Sequence, residues 1–210
     1  MYLSQLILDP RSRSVINNLA DPYQLHRTLM GAFPETLPKG ERVLYRVEQQ
    51  RKIPYLSVLV QSGTLPDWRY LSERGYLLLP ASVKTFDLHP STGHIFRFRL
   101  LANPTKRLKS SDDANGPRVG LVRSEEQCAW LERKAGQNGF CVLEVQTLKT
   151  VQPDAVKREK NKVHHIHCEA VRFDGLLQVV NPELFKVGLV CGIGSGKGFG
   201  FGLLSLAPAG

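Results

Sequence analysis

Tyr23 and His26 stand three residues apart, directly after Asp21-Pro22. Aspartate caps helix N-termini and proline is favoured at the first helical position, so Asp21-Pro22 predicts a helix start. The spacing then sets the phenol and the imidazole on one helix face. Imidazole titrates near neutral pH and suits general acid–base work. A helix N-terminus also favours a phosphate. The pair therefore points to proton transfer beside an anion. The bland alternative is a surface histidine next to a half-buried tyrosine.

The second chemical feature is the tail, Cys191-Gly192-Ile193-Gly194-Ser195-Gly196-Lys197-Gly198-Phe199-Gly200-Phe201-Gly202. Glycine lets a backbone approach a ligand closely. Exposed N–H groups at Gly194, Gly196 and Gly198, beside the Lys197 cation, suit a phosphate. A P-loop fails on spacing: its first glycine falls on Cys191, and Gly198 has no hydroxyl for magnesium. Lys197 to Phe201 matches the first five positions of the RNP1 motif, but that motif lies on an interior strand. Only eight residues follow Gly202, too few for the helix and strand still required. What fits is a glycine-rich loop leading into a final strand, Phe201 to Ala207. A flexible tail agrees poorly with the apolar Leu203-Leu204-Ser205-Leu206.

Other residues are less specific. His26-Arg27-Thr28 and His89-Pro90-Ser91 both fit H-x-[ST], the pattern of the 2H phosphoesterases. There the histidines sit on facing strands, whereas His26 is expected on a helix and His89 before a turn. His164-His165-Ile166-His167 has the alternation for a metal-binding strand but no obvious partner beyond Glu169 and Cys168, so neither metal nor cofactor is assigned. Lys157, Arg158, Lys160 and Lys162 form a basic run between strands, either a solvated loop or a hairpin tip reaching a nucleic-acid groove. With Arg97, Arg99, Lys106, Arg107, Lys109 and Lys197 they make a basic surface plausible.

The chain of 210 residues carries a net charge of +9, which favours a polyanionic partner through counterion release. Cys128, Cys141, Cys168 and Cys191 lack C-x-x-C spacing and read as reduced, buried thiols of a cytoplasmic protein. No apolar run approaches a membrane span, and the start does not read as a signal peptide.

The elements around these residues follow from local pattern. Leu3 to Leu8 reads as a strand. Leu25, Leu29, Ala32 and Phe33 give the Asp21 helix a core face, and Pro34 ends it. Arg42 to Glu48, Tyr55 to Gln61 and His94 to Leu101 read as strands, Pro66 to Leu71 as a helical turn, and Phe86 to His89 as a broken extended segment. Ser124 opens a helix that Gly139 stops, and Asn181-Pro182 opens another. Phe140 to Gln152, Lys162 to Asp174 and Leu176 to Val180 read as strands, with a hairpin turn expected at Phe173-Asp174-Gly175. The pattern predicts an α+β protein of two tandem ferredoxin-like (RRM-like) βαββαβ domains, 1–101 and 119–210, joined by a polar linker, 102–118.

Several ordered stretches together resemble the CasE family of CRISPR-associated endoribonucleases from the type I-E system. They are Met1-Tyr2-Leu3-Ser4, Asp21-Pro22-Tyr23-Gln24-Leu25-His26, Phe96 to Lys106, Ala129-Trp130-Leu131-Glu132-Arg133-Lys134, and Gly192 to Pro208. The resemblance implies two ferredoxin-like domains and metal-independent cleavage of CRISPR precursor RNA at the 3′ base of the repeat stem-loop. Attack by the 2′-OH would leave 2′,3′-cyclic phosphate and 5′-OH ends. His26 is implied as the main proton-transfer residue and Tyr23 as its helper, with Arg27, the glycine loop and the basic hairpin on the RNA. Retention of the guide RNA in a Cascade complex is implied as well. A non-catalytic RNA-binding subunit of the same fold is the alternative. Some members carry a basic residue about one turn after the histidine; here that position is Gly31, and Arg27 or Lys197 is left to supply the charge.

Overall fold

The computed structural model describes residues 1–49, 55–108, 116–151, 153–159 and 162–209. The first unit runs β1 (Tyr2–Ile7), α1 (Arg13–Ala20), α2 (Pro22–Met30), β2 (Leu44–Gln49), β3 (Leu56–Ser62), α3 (Arg69–Glu73) and β4 (Ser82–Thr85). Its sheet has the order β2-β3-β1-β4, with every pair antiparallel. Leu6, Val58 and Val60 of the sheet meet Val15, Leu25, Leu29 and Trp68 in one core. Leu29 is fully enclosed, and such burial contributes about 1.5–3 kcal/mol. Leu25, Leu29, Ala32 and Phe33 are all buried, as their spacing predicts.

The break between α1 and α2 is set by Pro22. Proline disfavours helical backbone in the residue before it, and Asp21 is extended at φ −137°, ψ 101°. The Asp21 carboxylate then accepts from the Tyr23 amide at 3.0 Å, and α2 begins. Helix α1 was not distinguished in the sequence.

The second unit contains β5 (Ile95–Ala102), β6 (Thr105–Arg107), β7 (Arg118–Gly120), α4 (Ser124–Gln137), β8 (Phe140–Thr150), β9 (Ala155–Glu159), β10 (Lys162–Ile166), β11 (Ala170–Val179), α5 (Pro182–Cys191) and β12 (Leu204–Pro208). Its sheet order is β12-β5-β11-β8. Trp130, Leu131, Phe140, Phe173, Phe185 and Leu189 fill its core. Setting aside the two side hairpins, and taking α1 and α2 together as the first helical connection, each unit is βαββαβ with the same strand order, so the tandem ferredoxin-like α+β fold holds.

Strand β5 was placed in the first domain, 1–101, but it pairs with β11 and β12 and belongs to the second sheet. The segment 102–118 is not a plain linker: β6 and β7 pair within it, and 109–115 lie outside the described residues. Asp174-Gly175 is no turn, because β11 runs straight through it. Gly175 faces β8 so closely that a Cβ there would lie 1.9 Å from the Glu144 carbonyl oxygen. The ladder shifts register just beyond it, between Leu176 and Leu177, and glycine admits that approach.

Phe86 to His89 forms no strand; β4 ends at Thr85. The four cysteines are free and half-buried rather than buried. Among the described residues, no helix is long and apolar enough to cross a membrane.

Candidate active site at the junction of the two units

Strand β2 is an edge of the first sheet, and three consecutive residues of it meet the tail of the second unit. A Cβ on Gly192 would lie 2.8 Å from the Leu44 side chain. The Tyr45 hydroxyl lies 3.2 Å from the Gly198 carbonyl oxygen. The Arg46 guanidinium donates to the carbonyls of Leu203, at 3.0 Å, and Arg99, at 3.3 Å. It also donates to Ser205 Oγ at 2.8 Å and pairs with Glu48. The glycine segment is thus a fixed part of the junction, not a free tail.

Helix α5 ends at Gly192, and the chain turns through Gly194, Gly196, a single 3₁₀ turn (Lys197–Phe199) and Gly200. Gly200 has φ 87°, a backbone that strains any L side chain, and a Cβ there would press on Tyr45 at 3.2 Å. The 3₁₀ turn packs against α2. Gly198 faces the imidazole of His26: a Cβ on it would lie 3.8 Å from both Cδ2 and Nε2. Histidine from the first unit and glycine loop from the second therefore meet.

His26 is half-buried, and its ring stacks on Tyr45 with centroids 6.2 Å apart and planes 18° apart. Burial pushes its pKa below the ordinary histidine value. Its Nδ1 is enclosed and has no hydrogen-bond partner among the described residues. Tyr23, half-buried, sits one turn earlier on the same helix, and Arg27 follows His26 in an exposed position.

Beside the loop lies a groove of about 660 Å³ lined by Arg42, Lys106, Arg107, Arg118, Arg133, Lys134 and Lys197, with Gly194, Gly196 and Gly198 on its wall. No carboxylate lines it among the described residues. Burial and then the nearby Arg42 charge lower the Lys197 pKa. Lys106 is partly neutralised by Glu126 at 2.7 Å. Arg42, Arg118, Arg133 and Lys134 were missed by sequence reasoning. They come from separate segments; the overall positive charge was the signal for all four, and Arg133 and Lys134 also lie in the Ala129–Lys134 stretch that carries the family resemblance.

Other expected site residues lie elsewhere. Arg97 and Arg99 do not join the glycine loop; they line a separate cleft of about 780 Å³ between the two sheets. There Arg99 pairs with Asp174 at 2.7 Å. Lys157 and Arg158 lie in β9 and Lys162 in β10, while Lys160 falls outside the described residues. The two strands pair as an antiparallel hairpin, so Lys157, Arg158 and Lys162 lie in its strands rather than in a loop or tip between strands, and β9 approaches α2. His167 and Asp154, 2.8 Å apart, tie the base of that hairpin. His89 is exposed and pairs with Asp87. Gly31 is roofed by Tyr70, so a side chain there would meet the Tyr70 hydroxyl at 3.1 Å.

The model of a family described as CRISPR associated protein matches residues 1–208. The chain is 41% identical to the CRISPR-associated endoribonuclease Cse3 of Thermus thermophilus, over 99% of this chain and all of the relative. It is 33% identical to the CRISPR system Cascade subunit CasE of Escherichia coli, again over 99% of this chain and all of the relative. A solved structure of CRISPR endoribonuclease Cse3 bound to 19 nt RNA superposes with a TM-score of 0.84 at 41% identity, covering 99% of this chain and 100% of that one. With the ordered motifs, the shared fold and near-complete coverage in both directions, the chain belongs to the CasE family of CRISPR-associated proteins.

Proposed function

We propose that this protein is an endoribonuclease that cuts CRISPR precursor RNA at the 3′ base of each repeat stem-loop, without a metal. The observation that carries this reading is that Gly198 faces the His26 imidazole beside a groove lined by seven cations. Membership in a family with a named endoribonuclease, solved with RNA, supports the same substrate class.

The RNA stem lies along the basic groove and the β9–β10 hairpin, held mainly through phosphates and shape, because side chains read the deep groove of A-form RNA poorly. At the cut site the ribose 2′-oxygen attacks the adjacent phosphorus. A bond forms from 2′-O to P, and the bond from P to 5′-O breaks. One proton leaves the 2′-OH and one reaches the departing 5′-oxygen, giving a 2′,3′-cyclic phosphate and a 5′-OH. His26 and Tyr23 share these two transfers. With Nδ1 enclosed, the imidazole exchanges its proton through Nε2. Lys197 and the loop N–H groups offset charge building on the phosphate oxygens. Arg27 extends the cationic surface along α2, whereas Arg97 and Arg99 take no part in this path. The guide RNA stays bound and enters a Cascade complex in the cytoplasm, in keeping with the named Escherichia coli relative.

The test is cleavage of a repeat hairpin in EDTA by wild type and His26→Ala. Wild-type cutting with loss in the variant is expected; equal rates overturn the mechanism. A single 2′-deoxy nucleotide at the cut site should abolish cleavage and leave binding nearly unchanged.

A further inference from the structure

Tyr45 meets the start of α2, the His26 ring and the glycine loop at once. It lies on β2, where it pairs with Val60 of β3, so its backbone is fixed to the first sheet. Its ring is 1% exposed and stacks on His26. Its hydroxyl is 3.1 Å from the Pro22 carbonyl oxygen, at the first turn of α2, and 3.2 Å from the Gly198 carbonyl oxygen. A phenol has one proton, so the two carbonyls share it. Gly200 closes over the edge of the same ring. Burial, and then the Asp21 charge, raise its pKa far above the ordinary phenol value, so it stays a neutral donor.

We propose that Tyr45 is a positioning residue for the cleavage step: its hydroxyl clamps the start of α2 to Gly198 and so sets the gap between His26 and the glycine loop. The inference rests on the endoribonuclease reading above. Tyr45 is too enclosed to touch RNA, so it acts only through His26 and the loop. Fixing a catalytic group to within a fraction of an ångström is worth large factors in rate, and a displacement of about 1 Å can cost on the order of a hundred-fold.

Tyr45→Phe keeps the ring and the stack and removes the clamp. Three quantities are measured at a temperature where circular dichroism shows the variant folded: the single-turnover cleavage rate, the hairpin Kd, and the His26 pKa by NMR. The expected result is a roughly ten-fold slower cut with Kd unchanged within about two-fold. The His26 pKa should rise towards the ordinary histidine value as the loosened cover admits water. Installing 4-aminophenylalanine at position 45, which restores a donor, should recover much of the rate. Three outcomes would overturn the inference: an unaltered rate, a rate loss matched by an equal loss of binding, or a slower cut with an unmoved His26 pKa. His26→Ala run alongside separates the two ideas. If it still cuts, the endoribonuclease mechanism fails; if it is dead and Tyr45→Phe is wild type, only the role of Tyr45 fails.

Discussion

The Arg46 guanidinium, 3% exposed, donates to the Leu203 carbonyl at 3.0 Å and so ties the edge of the first sheet to the segment entering the last strand of the second. A buried cation is stable only when its donors are used, and the Leu203 and Arg99 carbonyls, Ser205 and Glu48 use them here. Arg46→Met would leave these acceptors without their donor. The expected cost is about 3 kcal/mol in urea unfolding, with slower RNA cleavage because one tie between β2 and the segment that follows the glycine loop is lost.

His26→Ala should lower the cleavage rate by about 10² to 10⁴, the usual worth of a positioned acid or base. Hairpin affinity should stay within a few-fold. Single-turnover assays and filter binding on one preparation measure both.

The depressed His26 pKa has a definite sign in stability as well as rate. Above the ordinary histidine value the group is neutral whether the chain is folded or not. As pH falls below that value, the unfolded chain takes up the proton first, so the folded state loses stability until pH passes the folded pKa. Unfolding midpoints of wild type should therefore fall between pH 7 and pH 5 more steeply than those of His26→Gln. In the pH–rate profile, the limb that disappears in His26 variants should sit below the ordinary histidine value.

Arg118 and Arg133 line the groove without a carboxylate beside them in its wall. Each phosphate contact adds about 0.7 to 0.9 to the slope of log affinity against log salt. Arg118→Ala with Arg133→Ala should flatten that slope by about 1.5 and weaken all hairpins similarly. Binding titrations from low to moderate salt provide the check.

Gly200 and Gly198 are two residues apart yet should respond differently to alanine. Gly200 has φ 87° and faces the Tyr45 ring at 3.2 Å, so Gly200→Ala should cost about 1–2 kcal/mol. A methyl on Gly198 meets His26 only at an ordinary 3.8 Å, and Gly198→Ala should unfold within about 0.5 kcal/mol of wild type. Thermal or urea unfolding of the two variants compares them.

Much of this molecule is legible locally. Asp21-Pro22 and Asn181-Pro182 open α2 and α5 because a short polar cap and a residue without an N–H suit the first helical positions. The Leu25, Leu29, Ala32 and Phe33 spacing names a core face, and the alternation from His94 to Leu101 names a strand. Alternation does not name the strand's partner, because pairing is decided by contacts between residues far apart in sequence. Strand β5 therefore went to the wrong sheet, and the cleft between the sheets that Arg97 and Arg99 line could not be foreseen. Asp174-Gly175 carried a real turn signal, but the close approach of β8 needed the glycine inside a strand. The Tyr23/His26 pair and the glycine tail were visible as separate chemical features. Only the tertiary structure joined them, because Tyr45 and Arg46 on one edge strand hold the loop against α2, and the groove collects its cations from segments that no local pattern connects.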